Sequence, residues 1–138
     1  MCNLSEWIVR EAFLAYDRGD VAAMMDFVDP CLEWVGLDPG PGDPQQRIRR
    51  GRGELEKALR QQADLGLRAE LEEVIAAGDQ VILVMRTPGI DEYRHQPGAD
   101  RTYDADRTYD VVTVRDGLIA GLRACRDRSE AQSLAGIG

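Results

Sequence analysis

Residues 109–127 read Tyr109-Asp110-Val111-Val112-Thr113-Val114-Arg115-Asp116-Gly117-Leu118-Ile119-Ala120-Gly121-Leu122-Arg123-Ala124-Cys125-Arg126-Asp127, and their pattern decides the fold. Asp110, Val112 and Val114 recur at the period of two that a half-buried strand requires, with Val111, Thr113 and Arg115 on the other face. Arg115-Asp116-Gly117 makes a turn. On the return strand Leu122, Ala124 and Arg126 share one face and Arg123, Cys125 and Asp127 the opposite one. One side of this hairpin is therefore apolar with an acid, Asp110, and a base, Arg126, and a functional site is expected there.

Just upstream the chain repeats itself, Ala99 to Asp104 being followed by the identical Ala105 to Asp110. A slip by one copy preserves strand parity, so Asp104 and Asp110 compete for one position. Asp110 is favoured because it runs directly into Val112 and Val114. Leu67–Ala76 and Gln80–Thr87 form a hairpin at Ala77-Gly78-Asp79. Val81-Ile82-Leu83-Val84-Met85 is apolar on both faces and should be central.

Towards the N-terminus, Asn3 and Glu6 have the form of a capping box, and Ile8, Val9, Ala12, Phe13 and Tyr16 recur at helical spacing up to Gly19. Asp20 can cap a shorter helix whose Val21, Met24, Met25 and Val28 face inward before Pro30 stops it. Cys31–Gly36 reads as a short strand with Leu32 and Trp34 on one side. Leu37–Gly51, with Pro39, Pro41 and Pro44, reads as a long loop of the kind that forms lids or binding loops. Arg52–Gly66 is a third helix with Leu55, Ala58, Leu59 and Ala63 buried and Glu56 paired with Arg60. Asp127 with Glu130 forms another capping box, and Ala131, Leu134 and Ala135 support a last short helix.

Helices followed by antiparallel strands indicate an α+β fold, with helices on one face of a strongly curved sheet. Such a sheet leaves a cone that side chains or a ligand must fill. At 138 residues a single domain over 1–138 is expected. The net charge of −8 argues against nucleic acid and anionic membrane surfaces, since both reward clustered Lys and Arg. The short cluster Arg47, Arg49, Arg50 and Arg52 reads either as a solvated loop and helix entry or as a contact for an anionic ligand. Cys2, Cys31 and Cys125 suggest neither a disulfide framework nor a zinc site. Without a signal-peptide pattern or a membrane-length apolar run, a soluble cytoplasmic protein is expected.

Leu14 to Val21, with its Gly19-Asp20 between two helices, resembles the opening of the nuclear transport factor 2-like superfamily. Arg50-Gly51-Arg52-Gly53-Glu54-Leu55 resembles that superfamily's entry to the third helix, and Val114 to Ile119 with Arg126-Asp127-Arg128 its closing hairpin. The similarity points to the polyketide cyclase (SnoaL-like) and ketosteroid isomerase-like branch. It implies a cone-shaped α+β barrel, a mostly antiparallel sheet wrapped around three N-terminal helices, with a short C-terminal helix. It also implies a homodimer formed through the outer sheet face, where Thr113, Arg123 and Cys125 point.

By the same resemblance the isomerase general base falls on Trp34, and the isomerase tyrosine falls near Ala12 or Phe13, one turn from Tyr16. The protonated acid of the isomerase oxyanion site falls on Asp110. The last-strand acid of limonene epoxide hydrolase-like members falls on Ala124, and although Arg86 could stand for their arginine, Thr87 and Pro88 follow it where an acid is needed, so that mechanism is disfavoured. The candidates for proton transfer and oxygen polarisation are Asp110, Tyr16, His95 and Arg126, each with a plainer reading as an ion pair, core residue or exposed loop side chain. Trp34, Leu32, Phe13, Met85, Val112, Leu122 and Ala124 are expected to line an apolar pocket. Two functions follow: a cofactor-independent, metal-free isomerase, cyclase or hydrolase acting on a hydrophobic carbonyl or polyketide-like compound, or a non-catalytic ligand-binding or dimerisation module.

Overall fold

Helix α1 (Leu4–Asp17) turns Ile8, Val9, Ala12, Phe13, Ala15 and Tyr16 into the core, and its chain reverses at Gly19, whose φ of +83° suits a residue without Cβ. The structure is a computed structural model that describes residues 4–38, 45–66, 70–86, 107–125 and 127–136. Asp20 caps α2 (Val21–Met25) by accepting the Ala23 N–H at 3.0 Å. That helix is shorter than the sequence suggests. Val28 already begins β1 (Val28–Asp38), which runs through Pro30. The strand tolerates the proline because its pairing is irregular there, the register with β6 (Leu118–Cys125) jumping from Val28↔Ile119 to Glu33↔Gly121.

The expected loop over Leu37–Gly51 contains a strand, β2 (Gln45–Arg50), antiparallel to β1 from Glu33↔Arg50 to Asp38↔Gln45. It lies at the sheet edge, where charged side chains are usual, so its run of arginines masks the strand signal. Residues 39–44, with the three loop prolines, fall outside the described residues. Helix α3 (Arg52–Asp64) buries Leu55 and Leu59 and leaves Ala58 half-buried. Ala63, expected in the buried stripe, is exposed instead, while its neighbour Gln62 turns toward α1.

Four strands follow: β3 (Glu70–Ala77), β4 (Gln80–Arg86), β5 (Arg107–Arg115) and β6. Asp116 and Gly117 both take positive φ, 54° and 79°, closing a two-residue hairpin loop between Arg115 and Leu118. The sheet order is β2-β1-β6-β5-β4-β3, antiparallel except for β1 beside β6. Strand β4 is buried from Val81 to Val84 on both faces, as its composition requires. The second copy of the repeat enters the sheet, Thr108 opposite Met85 and Asp110 opposite Leu83. Residues 99–106 fall outside the described residues.

Helices α1, α2 and α3 pack with one face of this curved sheet through Phe13, Tyr16, Met24, Leu55, Leu59, Val81, Leu83, Val112 and Leu122. The other face has its own cluster. There α4 (Arg128–Leu134), capped by Asp127 at 2.9 Å from the Glu130 N–H, sets Ala131 against Ile82, Val84, Val111 and Cys125.

Candidate functional site on the inner sheet face

Pairing registers define rows of side chains across the inner face. One row crosses all six strands as Arg49, Trp34, Leu122, Val112, Val81 and Ala76. In the next, Asp110 stands between Leu83 on β4 and Ala124 on β6, with Val74 beyond Leu83. A third pairs Thr108 with Met85 and Met85 with Leu71. Asp110 is the one acid carried by these inward rows among the described residues.

Burial falls along the rows. Leu32 and Val112 are fully enclosed and Phe13 and Leu122 nearly so, all within one packed cluster. Asp110, Thr108, Ala124, Met85 and Trp34 are half-buried. The expected lining residues thus divide between enclosed core residues and half-buried ones, and Asp110 is among the half-buried.

Tyr16 is 4 % exposed, and its hydroxyl donates to Gln62 Oε1 at 2.9 Å. Burial pushes its phenol above the ordinary tyrosine range, so the proton stays in place near neutral pH. The residue thereby ties α1 to α3. Arg86 is exposed and follows the inward Met85 by one position, so it faces away from the row that holds Asp110. His95, Arg126 and Asp104 lie outside the described residues.

Sequence reasoning missed Arg49 as an individual site residue. Its guanidinium lies over the Trp34 ring, 4.7 Å from the centroid, directly across from it on β2. The signal was an arginine alternating with exposed Ile48 in what read as a loop. Outward, Cys125 is buried under α4, and burial together with the nearby charges of Glu130 and Asp110 pushes its thiol up to about 12. Thr113 and Arg123 lie beyond that helix on the same outer face, Arg123 exposed. Surface depressions on the outer sides of α3 (Glu56, Lys57, Arg60) and α4 (Ser129, Glu130, Ser133) do not reach the inner rows. Among the described residues no group of three or more His, Cys, Asp and Glu could hold a metal ion, and no helix is long and apolar enough to cross a membrane.

Residues 9–122 match the model of the SnoaL-like domain family. Similar solved structures include a nuclear transport factor 2-like protein of Burkholderia thailandensis, 24% identical with a TM-score of 0.66, covering 96% of this chain and 97% of that one. A protein of Xanthomonas campestris pv. campestris described as a candidate polyketide cyclase is 20% identical with a TM-score of 0.60, covering 96% of each chain. A Mesorhizobium loti nuclear transport factor 2-like protein of unknown function is 21% identical with a TM-score of 0.64 and covers 88% of each. These likenesses establish the shared cone-shaped α+β fold. No curated protein matches the chain.

Proposed function

Because this chain belongs to the SnoaL-like domain family, we propose that it binds a hydrophobic carbonyl or polyketide-like compound in the cone and isomerises, cyclises or hydrolyses it without a cofactor. The observation that supports this is Asp110, an inward acid flanked by Leu83 and Ala124 one row from Trp34, Leu122 and Val112. A carboxyl group in such a setting can remove a proton beside a carbonyl, or in its neutral form donate to the enolate oxygen. Arg126, on sequence parity alone, is assigned to the developing oxyanion. Tyr16 acts by fixing α1 against α3. The protein is proposed to be one cytoplasmic domain that dimerises through the part of the outer sheet face not covered by α4.

A second reading, a ligand-binding module without catalysis, is favoured by the family resemblance, under which Trp34 and Ala124 fall at the positions of the isomerase-type and epoxide hydrolase-type acids. The two are separated by titrating a naphthol probe into the wild type and Asp110→Asn. In the catalytic reading, wild-type affinity varies with pH as the carboxyl group gains or loses its proton, and the variant loses that dependence. If both proteins bind alike at every pH from roughly 5 to 9, the acid role fails and the module reading stands.

A further inference from the structure

Arg49 is half-buried, faces the helices from the sheet-edge strand, and rests on Trp34 rather than on an acid. Of the other half-buried arginines, Arg107 is held by Glu72 at 2.7 Å and Arg128 by Glu73 at 2.6 Å, whereas Arg52, at the start of α3, has no ion pair among the described residues and no aromatic ring beneath it. The nearest acid on β1, Glu33, is taken by the neighbouring Arg50. Among the described residues no carboxylate ion-pairs with Arg49. A guanidinium held over an indole face by cation–π attraction still presents N–H groups that can bind a carboxylate in bidentate fashion. That contact also restricts the side chain's position before any ligand arrives.

We propose that Arg49, presented by Trp34, is the anion-binding end of the inner-face site, and that the ligand is an elongated apolar molecule with a terminal carboxylate. This rests on the reading that the inner face binds a small molecule, and it adds the class of that molecule. The row from Arg49 through Trp34 and Leu122 to Val112 crosses three strand spacings, about 14 Å along the sheet, and curvature shortens the direct path. Asp110 lies two residues from Val112 on the same face. The ligand's acid is therefore remote from the atoms that Asp110 meets, and Trp34 and Leu122 cover the apolar body between them. In a chain of net charge −8, such a fixed inward cation gives an anionic ligand a place that the surrounding field otherwise opposes.

A plainer role for the pair is to hold edge strand β2 against β1, as cross-strand pairs do. Calorimetric titration of 6-phenylhexanoate and its methyl ester, which share a shape and differ in charge, separates the two. Wild type is expected to bind the carboxylate about tenfold more tightly than the ester. Arg49→Gln should abolish that preference while leaving ester affinity and thermal unfolding within error of wild type. Arg50→Gln, which removes the same charge from the opposite face, should change neither affinity. Equal binding of acid and ester by the wild type overturns the role of Arg49 and leaves the pocket standing. Loss of both ligands in Arg49→Gln makes the pair structural and also overturns it. Binding of neither ligand by the wild type overturns the inner-face reading itself.

Discussion

The Tyr16 hydroxyl donates to Gln62 Oε1 at 2.9 Å, a contact between α1 and α3 made by residues 46 positions apart. Because Tyr16 is almost wholly enclosed, deleting its hydroxyl leaves the Gln62 oxygen without this donor. Tyr16→Phe is expected to lower unfolding stability by about 1 kcal/mol, read as a lower urea midpoint at unchanged slope. The pH dependence has a defined sign. Burial raises the phenol above its ordinary value of 10.0, so above that pH the unfolded chain loses a proton that the folded chain keeps. Wild-type stability should decline as pH rises from about 10 through the folded value, and Tyr16→Phe should decline less steeply. Equal slopes would show that the tyrosine ionises as freely in the fold as outside it.

Cys125 and Cys31 differ in exposure because the sheet and α4 enclose one and not the other. Cys31 is exposed near the start of β1, whereas Cys125 is buried beneath α4 with its thiol pushed up to about 12. Peptide mapping after iodoacetamide treatment near pH 8 should find Cys31 alkylated and Cys125 intact. Ala131, with no exposed surface, is the residue of α4 that closes over this cluster. Ala131→Asp should lift the helix and make Cys125 reactive. Labelling of Cys125 in the untouched wild type would mean that α4 does not hold its place in solution.

Much of the fold was legible because its strands obey a period of two. The faces read for β5 and β6 match the observed pairs Asp110↔Ala124 and Val112↔Leu122, and Asp116-Gly117 fixes the register that produces them. Capping oxygens at Asp20 and Asp127 likewise fall where the sequence puts them. What was hidden depended on partners distant in the chain. Strand β2 exists because β1 pairs with it, and Pro30 is accommodated by a pairing irregularity that no local pattern announces. The Arg49 and Trp34 contact follows from that pairing, so it was invisible for the same reason. Asp110 was legible as an inward position; the engagement of Tyr16 with Gln62 was not, because it joins two helices whose relative placement the sequence leaves open.

Arg128 links α4 to β3, its Nη2 lying 2.6 Å from Glu73 Oε2, and its guanidinium sits 6.0 Å from the centre of the Tyr109 ring. Both side chains are less than half exposed yet still reach solvent, 42% and 45%, so the pair is worth at most about 1 kcal/mol and is screened by salt. Its hydrogen bond to Arg128 holds the Glu73 carboxyl below the usual range. Stability from a lowered carboxyl value is present above the unfolded value, 4.5, and is lost as pH falls through the folded one. Arg128→Ala should therefore be slightly less stable than wild type at pH 7 and nearly equal to it once Glu73 is protonated. Chemical denaturation at several pH values and in about 1 M salt checks both parts. A deficit that persists at low pH would assign the effect to lost packing on Tyr109.

Leu32 and Met85 were both expected to line the ligand cavity, and their burial gives them different parts. Leu32 has no exposed surface and sits in the main core cluster, while Met85 is half-buried, across from Thr108. Truncating a fully buried leucine leaves a void that its close-packed neighbours only partly fill. Leu32→Ala is therefore expected to cost about 2–5 kcal/mol of unfolding free energy. Met85→Ala removes a flexible side chain from a less enclosed place, so its stability loss should be smaller and its effect on apolar ligand affinity larger. Paired measurements of urea midpoint and of 6-phenylhexanoate methyl ester binding test the division. A ligand that meets the half-buried side chains and not the enclosed core requires the two variants to rank in opposite orders in the two assays. If Leu32→Ala proves the more harmful to binding at matched stability, the ligand reaches the enclosed core and Leu32 is part of its site.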